Sequence, residues 1–78
     1  MVKVLNFTQV DKTYVITAVA DTYDHLSVLK QIPKLIPVDV DFVKATTDRN
    51  YYYSCNITAL QGADGKKWIY LITFWRRG

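Results

Sequence analysis

Two residues of the sequence are typical of nucleophilic catalysis, His25 and Cys55, and each is the only residue of its type. A thiolate nucleophile needs a base within hydrogen-bonding reach. The sequence places His25 in the first turn of a predicted helix and Cys55 among the core-facing residues of a predicted strand. Because a buried thiol packs as a small hydrophobic group and stays protonated, we expect an inert Cys55 and a surface His25.

A pair of carboxylates, Asp39 and Asp41, is the next candidate for chemistry. On a strand, residues two apart point the same way and lie roughly 6.5–7 Å apart. Such a pair suits a hard cation or a hydrolytic reaction, but no third acid or base accompanies it in the local sequence. We expect instead an acidic sheet surface or edge that resists incorrect strand pairing.

The sequence GADGKK at residues 62–67 contains glycines and a lysine, as a phosphate-binding loop does, but the residues are not spaced as in that motif. The pattern G-x-x-x-x-G-K-[ST] and the helix that should follow it are both missing, so we interpret the segment as a hairpin turn. The chain also contains no glutamate, the usual carboxylate of general acid–base catalysis. We predict that the protein is not an enzyme and uses no cofactor, metal or small-molecule substrate.

Length and composition predict one globular domain over residues 1–78. Half of the residues are hydrophobic and 22% are charged, which is typical of a folded chain. A single cysteine excludes an internal disulfide and a cysteine-rich zinc cluster. The first residues, MVKVLNFTQVDK, hold no apolar stretch long enough for a signal peptide or a membrane span. We expect a cytoplasmic protein with no membrane partner.

The hydrophobic pattern predicts a small α+β fold. Helix signals begin at Asp21-Thr22 and end near Ile32, because Pro33 cannot continue a helix. Alternating or β-branched segments predict strands at 2–8, 14–20, 38–45, 51–61 and 68–76. The predicted order is ββαβββ, an antiparallel sheet of four to five strands with one helix packed on one face.

One helix covers only one side of a sheet, so the other side must meet solvent or a partner. We call that uncovered side the outer face. In the segment NYYYSCNITA, Tyr51 and Tyr53 share the apolar face of the predicted strand with Cys55. Tyr52 alternates with them and shares its face with small polar residues. We therefore predict that Tyr52 projects from the outer face.

The last predicted strand is apolar on both faces, so at least one tryptophan should join Tyr52 on the outer face. The net charge of +3 resides in the same C-terminal part of the chain. Tryptophan, tyrosine and arginine are the residues that most often anchor protein interfaces. The candidate partner-binding residues are Tyr52, Trp68, Tyr70, Trp75, Lys66, Lys67, Arg76 and Arg77.

Three kinds of partner fit an exposed aromatic and basic face. One is a foreign protein, and a second is another copy of the chain, which would make a homodimer. The third is single-stranded RNA or DNA, whose bases stack on aromatic side chains while Lys and Arg follow the backbone. Against nucleic acid, the ring motif of the RNA-recognition fold is absent, and that fold needs two helices where one is predicted.

The run VADTYDHLSVLKQIPKLIPVDVDFV at residues 19–43 has the predicted order strand, Ala-Asp-Thr cap, helix, proline, strand. This layout resembles that of small phage-encoded proteins that bind and disable host enzymes, including polymerase inhibitors and anti-CRISPR proteins. The likeness covers about a third of the chain and concerns architecture alone, so no functional residue is carried over. It implies a small inhibitor, without an active site, that docks on a host protein in the host cytoplasm.

Overall fold

Four antiparallel strands form one sheet in the order β1-β2-β4-β3. The computed structural model describes residues 1–77, and its strands are β1 (Val2–Val10), β2 (Thr13–Ala20), β3 (Tyr53–Gln61) and β4 (Trp68–Arg76). The predicted small α+β fold with an antiparallel sheet is thereby confirmed. The two central strands are β2 and β4, and β1 and β3 are the edges.

Two short connections set the strand pairing. Asp11 adopts a φ of 58° between β1 and β2, a left-handed conformation that aspartate tolerates better than most residues. Gly65 has a φ of 71° in the loop between β3 and β4, and the backbone N–H of Gly62 donates to the Lys67 carbonyl at 2.7 Å. The GADGKK segment is therefore the hairpin connection that its sequence predicts.

The edge strand β1 is irregular. Its register with β2 shifts between Val4 and Asn6, so one extra residue is accommodated around Leu5. A shift of this kind is a β-bulge, which bends the strand and increases its twist. Leu5 is 56% exposed as a result of its position at the bulge.

The first helix, α1, spans His25–Gln31 and begins later than predicted. Asp24, and not Asp21-Thr22, is its N-cap, and the Asp24 carboxylate accepts a hydrogen bond from the backbone N–H of Ser27 at 3.1 Å. Pro33 stops the regular helix as predicted, and the chain continues through a single 3₁₀ turn, Ile32–Lys34.

The prediction of a strand at 38–45 was wrong. This segment contains a second helix, α2 (Phe42–Thr47), capped by Asp41, whose carboxylate accepts from the backbone N–H of Lys44 at 3.0 Å. Phe42 and Ala45 are buried, at the three-residue spacing of a helix. The resemblance to phage-encoded inhibitors was based on the order strand, helix, proline, strand over residues 19–43. The structure has the helix α2 where the last strand of that order was expected.

Both helices pack on the same face of the sheet. Alternate residues of the central strands are buried, namely Ile16, Ala18 and Ala20 on β2 and Tyr70, Ile72 and Phe74 on β4. The helices contribute Val28 and Leu29 from α1 and Phe42 and Ala45 from α2 to the same core. Because the buried residues of each strand share one face, the outer face is left without a helix.

Candidate interaction surface

The outer face is apolar along its centre and polar along its sides. Eight positions of the central strands alternate with the core. Five of them hold large apolar residues, Val15, Val19, Ile69, Leu71 and Trp75, and three hold threonine, Thr13, Thr17 and Thr73. The edge strands contribute mainly small polar residues: Asn6, Thr8, Ser54, Asn56 and Thr58. An apolar centre within a polar rim is the usual anatomy of a protein–protein interface.

One row of aliphatic side chains crosses three strands. Val19 pairs with Ile69 across β2 and β4, and Ile69 pairs with Leu60 across β4 and β3. Leu71 lies two residues further along β4, on the same face, and is 40% exposed. Leu60 is 50% exposed at the end of this row. These four residues form a continuous apolar surface that no part of residues 1–77 covers.

Trp75 occupies the opposite end of the outer face. Its strand partners are Thr13 on β2 and Ser54 on β3, and the residue is 37% exposed. Arg77 contacts the same Ser54, because its Nε donates to the Ser54 Oγ at 2.6 Å. The Arg77 guanidinium also donates to the carbonyl oxygen of Arg49. Trp75 and Arg77 therefore flank one serine at a corner of the outer face.

The outer face carries almost no charge. None of the seven aspartates lies in a strand, and all of the strands fall within the described residues 1–77. Lys3, on the edge strand β1, is the one charged residue among the outward-facing strand positions of that part of the chain. The apolar centre consequently has neither a carboxylate nor a cation inside it.

Three of the eight candidate contact residues occupy core-face positions of β4 instead: Trp68, Tyr70 and, at the exposed end of the strand, Arg76. Tyr70 is 0% exposed, so it is not accessible to a partner. Trp68 is half-buried, and its ring packs 4.6 Å from that of Tyr23. The structure thus establishes which face of β4 the helices cover, and Trp75 is the tryptophan on the outer face.

The prediction that Tyr52 projects from the outer face was wrong. Tyr52 precedes β3, and its ring lies 4.5 Å from Tyr51 and 5.4 Å from Tyr53. The Tyr51 hydroxyl accepts from the backbone N–H of Asp41, the residue that caps α2. The pKa of Tyr52 is raised by hydrogen bonding and charge at Tyr51, with a smaller contribution from Asp39. Tyr52 is exposed, but it belongs to a tyrosine cluster beside the α2 cap.

The predicted basic residues are exposed but divided between two ends of the sheet. Lys66 and Lys67 lie in the loop before β4, whereas Arg76 ends β4 and Arg77 follows it. β4 has nine residues, so these ends are about 27 Å apart at the usual strand rise. The structure therefore does not bring the four cations into one basic patch.

The residues considered for catalysis do not form a site. The His25 ring packs edge-on against Tyr23 and Tyr70, while Cys55 lies on β3 opposite Phe74. Burial raises the pKa of the Cys55 thiol, which disfavours the thiolate. Among residues 1–77, no group of three or more His, Cys, Asp or Glu side chains could hold a metal ion.

Two shallow cavities lie on the helical side of the protein, and neither indicates a ligand-binding site. One has a volume of about 320 Å³ and is lined by Asp39, Asp41 and Lys30, and the other, of about 340 Å³, lies along α1. Both are at the small end of the range for ligand sites. Within residues 1–77, no buried side-chain polar atom is left without a hydrogen-bond partner.

No protein-family model, curated protein or solved structure matches the chain. The fold and the surface together define a class, namely a two-layer α+β protein with one uncovered sheet face. Within residues 1–77, neither helix has the length and apolar character needed to cross a membrane.

Proposed function

We propose that the protein is a non-enzymatic binding domain that docks on a protein surface through its outer face. The observation that carries the proposal is the apolar centre of this face, formed by the two central strands and bordered by neutral polar residues of the edge strands. Trp75, with Arg77 beside it, provides the pair of residue types most common at interface hot spots.

A single-stranded nucleic acid is a weaker candidate for this surface. Base-stacking proteins combine exposed rings with cations that follow the phosphate backbone. Here Arg76 and Arg77 lie beside Trp75, but Lys66 and Lys67 lie at the far end of β4. Tyr52 lies near Asp39, whose carboxylate repels phosphate. Inhibition of a host enzyme stays a prediction of the sequence alone.

The proposal is tested by cross-linking from one defined position. The photoreactive amino acid p-benzoylphenylalanine replaces Thr73, on the outer face of β4, and in a control protein replaces Lys30, an exposed residue of α1. Both proteins are irradiated in living cells. We expect a protein adduct from position 73 and none of the same mass from position 30. Absence of any adduct from position 73, or the same adduct from both, would contradict the proposal.

A matched pair of variants shows that the adduct depends on the apolar surface. Leu71→Asp introduces charge into the outer face, and Leu26→Asp introduces the same charge at an exposed leucine of α1. We expect the adduct from position 73 to disappear with Leu71→Asp and to persist with Leu26→Asp. Thermal unfolding of both variants establishes that each is folded.

A further inference from the structure

We infer that the occupant of the outer face is a second copy of this chain, packed sheet against sheet across a twofold axis. The inference rests on the proposed function, since it names the partner of the same surface. Its first support is charge. The strands of this face contain no aspartate, and its cations, Lys3 and Arg77, lie at its margins. The face therefore offers few ion pairs to a strongly charged partner. Two copies of it can meet without like charges at the centre of the contact.

The area of the face is the second support. Four strands about 4.8 Å apart, with about eight residues each, give a surface of about 19 by 27 Å, or about 500 Å². Two such faces in contact bury about 1,000 Å² in total, which is about the minimum for a specific interface. The face thus reaches the lower size limit for a specific symmetric interface without contributions from the loops.

The total surface of the chain gives independent support. Its accessible area is 5266 Å². A monomer of 9.0 kDa is expected to expose about 4,850 Å². The chain therefore exposes about 400 Å² more than an average monomer of its mass, which is the direction expected when one layer of a two-layer protein is still to be covered.

Symmetry identifies the residues nearest the axis. In a twofold contact the same patch meets itself, so residues at the centre of the face lie close to their own copies. The centre of the outer face falls between β2 and β4, near Leu71 and Thr73. An aspartate in place of Leu71 would therefore bring two carboxylates together in addition to removing apolar area.

The test is the mass of the purified full chain in solution, measured by sedimentation equilibrium from about 1 to about 300 µM, a range that includes the weak association expected of an interface near the lower size limit. We expect twice the chain mass of 9.0 kDa at high concentration. Leu71→Asp should weaken the dimer by about 100-fold or more, whereas Leu26→Asp should leave it unchanged. Leu71→Asn, which adds no charge, replaces Leu71→Asp should the latter fail to fold.

The outcomes separate this inference from the proposed function. A dimer that Leu71 variants dissociate, with a position-73 adduct of twice the chain mass, supports both. A monomer at every concentration, with a position-73 adduct to a different protein, overturns the second copy and leaves the proposed function standing. A monomer without any adduct overturns both. A dimer that tolerates Leu71→Asp and Leu71→Asn uses another surface and also overturns the inference.

Discussion

The hydroxyl of Tyr70 accepts a hydrogen bond from the backbone N–H of Asp24 at 2.8 Å and donates one to the Thr22 carbonyl at 3.0 Å. Tyr70 is fully buried on the central strand β4. Asp24 in turn caps α1. One buried hydroxyl therefore fixes the start of the first helix to the sheet, which positions the helical layer on the core face and leaves the outer face free.

Replacing Tyr70 by phenylalanine should destabilise the fold. The change leaves the Asp24 N–H and the Thr22 carbonyl without their partner, at a cost of about 1–3 kcal/mol. Urea unfolding followed by circular dichroism measures the loss. Tyr14→Phe is the matched control, because Tyr14 is half-buried on the same face and its hydroxyl makes no hydrogen bond within residues 1–77. Equal stability of the two variants would refute this role for the hydroxyl.

The cap of α2 distinguishes a helix from the strand predicted at 38–45. Asp41→Ala removes the carboxylate that accepts from Lys44 and should cost about 0.5–2 kcal/mol of unfolding free energy. Asp39→Ala, at an exposed position outside the helix, should cost less than about 0.5 kcal/mol. Chemical denaturation of the two single variants compares them. Similar losses at both positions would argue against the cap.

Gly65 should tolerate asparagine better than valine. Its φ of 71° lies in the left-handed region, which costs an ordinary residue about 1–2 kcal/mol and a β-branched residue more, whereas asparagine adopts it more readily. We expect Gly65→Val to lower the melting temperature clearly more than Gly65→Asn. Space does not decide the outcome, since an added Cβ meets only the Gln61 side-chain nitrogen at 3.6 Å. Equal melting temperatures would contradict the turn geometry.

The Cys55 thiol should make stability depend on alkaline pH. Burial raises its pKa in the folded state above the unfolded value of 9.0. The folded chain therefore holds this proton more tightly, so the contribution is fully present below pH 9.0 and is lost as pH rises through the folded pKa. Unfolding free energies measured across this range should fall less steeply for Cys55→Ala than for the natural sequence. Parallel pH profiles would exclude the thiol as the cause.

The sequence predicts the fold correctly where a local pattern is compatible with only one kind of secondary structure. Pro33 ends α1 because its ring cannot occupy a helix interior, whatever packs around it. Trp68–Arg76 forms a strand because β-branched and aromatic residues fill it from end to end. In both cases the local chemistry determines the structure without reference to distant residues.

The segment around VDVDFV was mispredicted because its pattern has two interpretations. Alternation over a few residues fits a strand, but an aspartate followed by an apolar residue also fits a helix cap. The structure favours the helix through a distant contact, because the Phe42 ring packs 4.8 Å from Phe74 on β4. A contact between residues so far apart in the chain is not encoded in local spacing.

The composition of the outer face could be predicted only in part. Both sides of β4 are apolar, so alternation alone does not say whether Trp68 or Trp75 faces the helices. Trp68 packs against Tyr23 just before α1, which fixes the choice. Tyr52 was misplaced because the prediction began the strand at Tyr51, whereas β3 begins at Tyr53 and the Tyr52 ring packs against Tyr51 and Tyr53.

The bulge in β1 has a consequence for how far assembly can proceed. Unpaired edge strands recruit further strands and allow sheets to extend into filaments, and an irregular edge blocks this route. The shift between Val4 and Asn6 interrupts the hydrogen-bonding groups of β1 that a neighbouring strand would need. The bulge therefore hinders strand addition at the β1 edge, while the helices cover the core face, so a dimer of outer faces would leave β3 as the regular edge at which strands could still be added.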